Sequence, residues 1–184
     1  MGLVAAITLH DIRRTVGGAA LALALALFAV GCSLGGDDAS GTKVFETSGV
    51  SFEYPDAWPP PLPFTTETTP TRMTISSFPV MGYDGEGDCA PQTAVDQLPG
   101  SGALVFILDM TGFSEVDDFP QRPSSFELDN QMLAMRECFG ESYEVSFREK
   151  GRALTVYVAL GPRVSDDMRS KVTDVLESLE VKRQ

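Results

Sequence analysis

Val50, Phe52 and Tyr54 alternate with Ser51 and Glu53, the period of a half-buried strand, and Pro55 closes the run. A second strand is expected over Arg72 to Phe78, where Met73 and Ile75 alternate with Thr74 and Ser76. Between them Pro59 to Pro63, PPPLP, lacks the donors of a ladder and reads as a stiff extended connector or, alternatively, as a proline-motif ligand. Ala90 to Leu98 predicts a short helix stopped by Pro99-Gly100. Ala103 to Met110, ALVFILDM, is almost continuously apolar and predicts a central strand covered on both faces. Gln131 to Cys138 is a weaker strand candidate. Tyr143, Val145 and Phe147 then oppose Glu144, Ser146 and Arg148 on a strand that turns at Glu149-Lys150-Gly151-Arg152. The return strand carries Leu154, Val156, Val158 and Leu160 on one face, with Thr155 and Tyr157 on the other, so a hairpin is expected. Ser165 is placed to cap a helix whose first turn holds Asp166 and Asp167. Met168, Val172, Val175, Leu176 and Leu179 form its single apolar stripe, and Lys182 and Arg183 suit its C-terminal end. No internal repeat interrupts this order.

Ahead of these elements stands a segment of different character. Arg13 and Arg14 precede a stretch without charge from Thr15 to Leu34, nearly pure Ala and Leu between Ala19 and Val30, and small residues lead into Cys32. A positive n-region and an apolar h-region mark an export signal. Ala29-Val30-Gly31-Cys32 resembles the lipobox of bacterial lipoproteins. The resemblance implies that the Cys32 thiol takes a diacylglyceryl group, that residues 1–31 are removed as a signal peptide, and that the new N-terminus can be acylated in turn, with palmitate for example. Ala-Val-Gly also fits ordinary secretory cleavage at the same bond, and the uncharged stretch approaches the length of an uncleaved membrane anchor. Two acyl chains give stable attachment where one does not, at about 0.8 kcal/mol per buried methylene. Residues 32–43, the cysteine followed by SLGGDDASGTK, then read as a lipidated cysteine and flexible tether ahead of one domain over 44–184.

At about 140 residues that span is the size of a single domain with a full core. Removing residues 1–31 takes away Asp11, Arg13 and Arg14, so the net charge of −12 becomes −13. Such a surface repels phosphate backbones and anionic head groups, which excludes nucleic acid as an expected partner and leaves membrane affinity to the lipid. With Cys32 assigned to lipid, Cys89 and Cys138 are an even pair in an oxidising compartment, and a disulfide between them is expected. Closing that loop would stabilise the fold by roughly 4 kcal/mol on the chain-entropy account. Two separate buried thiols are the alternative.

Val50-Ser51-Phe52-Glu53-Tyr54-Pro55-Asp56-Ala57-Trp58 is similar to the opening strand of PsbP-like domains, which runs into a Tyr-Pro-x-x-Trp corner. Paired strands followed by a helix ending in Ser-Leu, here Ser178-Leu179, agree with the close of those domains. The resemblance implies an α+β fold, a curved antiparallel sheet flanked by helices in an α-β-α sandwich. It also implies a role in extrinsic binding or assembly. Cys89, Cys138 and the Phe139-Gly140 corner are not part of the general pattern, and no site residue carries over.

Candidate chemistry is sparse. The only histidine, His10, lies in the leader, which removes Ser-His-Asp, Cys-His and most zinc chemistry from the mature chain. Asp84-Gly85-Glu86-Gly87-Asp88 places carboxylates two apart, but the sixth position of an EF-hand loop is Cys89 instead of Gly and the twelfth is Val95 instead of Glu. A solvated acidic loop is the expectation there, and Asp117-Asp118 is a weaker case still. No catalytic, cofactor-binding or metal-binding residue is assigned. The expected protein is therefore a lipid-anchored, non-catalytic binding or assembly module on the extracytoplasmic face of a bacterial membrane. Its expected partner is an unidentified envelope protein or small ligand. A carboxylate-dependent cell-surface hydrolase is the alternative.

Overall fold

The computed structural model describes residues 41–47, 49–65, 70–82, 92–128, 133–136 and 140–183, with the backbone alone for 133–136. Cys32, Cys89, Cys138 and the Asp84 to Asp88 loop lie outside the described residues, as does the leader. The chain runs β1 (Thr42–Glu46), β2 (Val50–Pro55), β3 (Leu62–Phe64), β4 (Thr71–Ser76), α1 (Gln92–Val95), β5 (Ala103–Asp109), β6 (Leu133–Arg136), β7 (Gly140–Glu149), β8 (Arg152–Leu160), α2 (Asp166–Glu177) and β9 (Glu180–Val181). All pairings between these strands are antiparallel. They form a six-stranded sheet in the order β3-β4-β5-β8-β7-β6 and a three-stranded sheet in the order β1-β2-β9. The fold is thus α+β, with a second small sheet where a single curved sheet between helices was expected.

Period-two alternation decides which side chains meet. From β5, Ala103, Val105 and Ile107 enter the main core with Met73 and Ile75 of β4, Phe147 of β7 and Leu154, Val156 and Val158 of β8. Val172, Val175 and Leu176 of α2 close that core together with Val50, Phe52 and Tyr54 of β2. On the opposite face Leu104 and Ala159 pack with Phe78 and Ala94, the latter from the four-residue α1. The apolar run of β5 is therefore covered on both sides, as a central strand requires.

The hairpin β7–β8 pairs Glu149 with Arg152 across a two-residue turn. Lys150 at φ 50° and Gly151 at φ 81° give the left-handed pair whose twist matches the flanking strands. At the far end of β8, a Cβ on Gly161 would collide with the carbonyl oxygens of Pro99 and Gly100, so only glycine lets the two loops touch. The Tyr-Pro-x-x-Trp corner is closed by Trp58 N donating to Pro55 O at 2.9 Å, with the indole buried.

Three further expectations change. Thr42 and Lys43 belong to β1, paired with Pro55 and Tyr54, and not to the tether, because their backbone finds a ladder partner in β2. PPPLP does not stay a free connector. Leu62, Pro63 and Phe64 pair with β4 as an edge strand, the position where proline's missing donor leaves no gap in a ladder. Lys182 and Arg183 do not close the helix. It stops at Glu177 with no basic residue in its last turn, and Glu180 and Val181 leave to pair with β2.

Candidate functional site

The shortness of β9 leaves a groove between β2 and α2. β9 pairs β2 only at Val50 and Ser51, so from Glu53 onward the edge of β2 faces α2 instead of a strand. Ser178, just past the helix, partly fills the missing pairing: its hydroxyl accepts from Glu53 N at 2.9 Å and lies 3.3 Å from Glu53 O. Beyond that stitch, strand and helix enclose a groove of about 320 Å³. Asp167, Ser170, Lys171, Asp174 and Val175 of α2 and Ser178 just beyond it reach the groove, spacings that share one helical face. Gly41, Thr42, Glu53, Tyr54 and Pro55 line it from the β1–β2 side. The mouth is pinned where Asp56 N donates to Gly41 O at 2.8 Å and Lys43 Nζ donates to Asp56 O at 3.0 Å.

The groove has an apolar floor and a charged rim. Tyr54 and Val175 are buried and Pro55 is half-buried, whereas Glu53, Asp167 and Asp174 are exposed. Glu53 Oε2 accepts from the Thr42 hydroxyl at 3.0 Å, and Asp167 Oδ2 accepts from Lys171 Nζ at 2.8 Å. Lys171 is the single cation among the lining residues, against those three carboxylates. Among the described residues no group of three or more His, Cys, Asp or Glu side chains is placed to hold a metal ion. Two further depressions among the described residues are more open, one of about 300 Å³ and one of about 540 Å³. One lies on the other flank of α2 by Leu128 and Arg169, and one follows the Gly112 to Asp117 loop.

Two arginine constellations hold the elements that frame the groove, and neither is signalled by motif. Arg122 donates to the carbonyl oxygens of Leu176, Glu177 and Leu179, capping the C-terminal end of α2, and pairs with Glu149 at 2.9 Å. Its guanidinium also lies over the rings of Phe126 and Phe147, at 5.2 and 5.7 Å from their centroids. Glu177 answers from the helix by accepting from Phe126 N at 2.6 Å. The second is Arg152, which pairs with Asp109 at side-chain exposures of 13 % and 10 % and donates through Nε to Lys182 O at 3.0 Å. Gly49 lies against this pair so closely that a Cβ would come 2.8 Å from Arg152 Nη1. Arg122 sits in an aperiodic loop between Pro120 and Pro123 and left no sequence signal. Asp109 did leave one, a lone carboxylate ending an apolar central strand, which cannot be buried without a cation.

Of the residues named from sequence, the described residues contain no member of the lipidation and disulfide sets, and every groove residue was overlooked as a site. No protein-family model matches the chain, and no curated protein is significantly similar to it. No helix among the described residues is long and apolar enough to cross a membrane.

Proposed function

We propose that this chain is a lipid-anchored, non-catalytic binding or assembly module on the outer face of a bacterial membrane, attached through Cys32, with a PsbP-like domain. The observation that carries the binding role is the β2–α2 groove, whose apolar floor and polar rim have the make-up of a recognition cleft. Its wall includes Gly41 and Thr42, so it opens beside the point where the proposed tether enters the domain. The PsbP-like reading is supported by the closed Tyr54-Pro55-x-x-Trp58 corner, by the antiparallel main sheet, and by the β7–β8 hairpin followed by α2 and Ser178-Leu179. A Cys89 to Cys138 disulfide belongs to the same proposal, and an unchanged intact mass after reduction and alkylation relative to alkylation alone would support it being absent.

Replacement of Cys32 by Ser tests the anchor. Incorporation of labelled palmitate should be lost, and the domain should move from the membrane to the soluble fraction or accumulate as uncleaved precursor. Unchanged labelling and detergent partitioning would sink the proposal. The carboxylate-dependent hydrolase remains the second reading because Glu53, Asp167 and Asp174 border one groove. Two of them are already engaged, Glu53 by Thr42 and Asp167 by Lys171, which favours recognition over general acid and base work.

A further inference from the structure

We infer that the β2–α2 groove docks a short basic peptide segment of a membrane-apposed partner protein. The inference rests on the lipid-anchored reading for the partner's location and on the groove itself for the partner's chemistry. At about 320 Å³ the groove stands at the lower bound of ligand clefts, room for one or two long side chains and not for a domain. Its floor of Tyr54, Pro55 and Val175 suits the aliphatic stem of a lysine or arginine, a side chain that covers apolar surface while keeping its charged head in water. The heads would then meet Glu53, Asp167 and Asp174 at the rim, where Lys171 offsets only one of the three charges. The chain's own charge of −12 extends the same attraction to longer range and steers cations toward the surface.

Chain length fixes where the partner must stand. From Cys32 to Gly41 is nine positions, which even fully extended reach about 30 Å. A lipid on Cys32 therefore confines the groove to the first few nanometres above the bilayer. Basic residues at that height, next to a membrane segment of another protein, are the matching chemistry.

The test uses the full chain and two probes. One is the free peptide Lys-Arg-Lys-Arg labelled with a fluorophore, and the other is a membrane-spanning peptide carrying the same four residues on the outer face of phosphatidylcholine vesicles. The soluble Cys32→Ser chain should bind the free peptide, with affinity that falls as salt is raised. Glu53→Gln, Asp167→Asn and Asp174→Asn combined should weaken that binding at least tenfold while the chain still melts cooperatively, a few degrees lower at most for the lost Asp167 charge and its pair with Lys171. Ser170→Arg, which puts a guanidinium of the chain's own over the groove, should weaken it as well. The lipidated chain should capture the vesicle-borne peptide at lower total concentration than the soluble chain does. Equal binding by the wild-type groove and the triple variant overturns the inference, whatever the anchor does. Carboxylate-dependent binding to bare phosphatidylethanolamine vesicles also overturns it, assigning the groove to a lipid amine. If peptide binding depends on the carboxylates but the wild-type chain never takes up an acyl group, the anchor fails and the dock stands.

Discussion

The two ends of α2 are secured in opposite ways. At the start, the capping is local: Ser165 accepts from Met168 N at 3.2 Å, and Asp166 and Asp167 place negative charge beside unpaired amides. At the finish, Ser178 and Leu179 bond locally to Asp174 O, Val175 O and Leu176 O, but Leu176, Glu177 and Leu179 O are also reached by Arg122, which is 54 to 57 positions away, and the segment beyond is held at Lys182 O by Arg152. A local cap stabilises only the helix. The distant arginines join the helix end to β7, β5 and β8, so their loss should loosen several elements together.

Mutations can break that asymmetry, and the largest effect is expected at Asp109. Asp109→Ala strands a mostly buried Arg152, and removing one partner of such a pair costs about 3 kcal/mol or more. The urea midpoint should fall accordingly, and a shift no larger than that of a surface substitution would show that Arg152 finds water instead. Next in size, Arg122→Ala should cost about 2–3 kcal/mol, since charge-assisted hydrogen bonds contribute about 1.5–3 kcal/mol. Arg122→Lys should recover only part of this, because an ammonium cannot fan out over three carbonyls and two rings. Hydrogen exchange should reveal faster opening of 174–179 in both variants, and full rescue by lysine would reduce Arg122 to a simple countercharge. Ser165→Ala should be the mildest, about 1 kcal/mol, with exchange raised in the first turn alone. Loss of protection at the C-terminal end in Ser165→Ala would erase the contrast between the two ends.

The same contrast explains what could be read before any coordinates. The hairpin and the start of α2 are written in short-range pattern: alternation in Tyr143 to Phe147, a two-residue turn at Lys150-Gly151, a cap at Ser165. Each signal lies within a few residues of the structure it produces. Arg122 has no periodic context, and what it does depends on a helix more than fifty positions later. Lys182 and Arg183 looked like the helix's own C-terminal charges because nothing local announces that Glu180 and Val181 will be drawn onto β2. The groove was illegible for the same reason, since its walls come from 41–55 and 167–178 and its opening depends on how short β9 is.

The strand order of the small sheet also sets a schedule for assembly. β2 is made early, yet the strand that pairs one of its edges is β9, through a pairing that joins Val50 to a residue 131 positions downstream. Contacts of such separation are entropically costly to close and slow to form. Until residues 166–177 exist, Val50 and Phe52 have no helix to bury them, and until residue 181 exists β2 can pair with β1 alone. A chain emerging from its N-terminal side must therefore keep this corner open until α2 and β9 are made, and can seal it only in a late step.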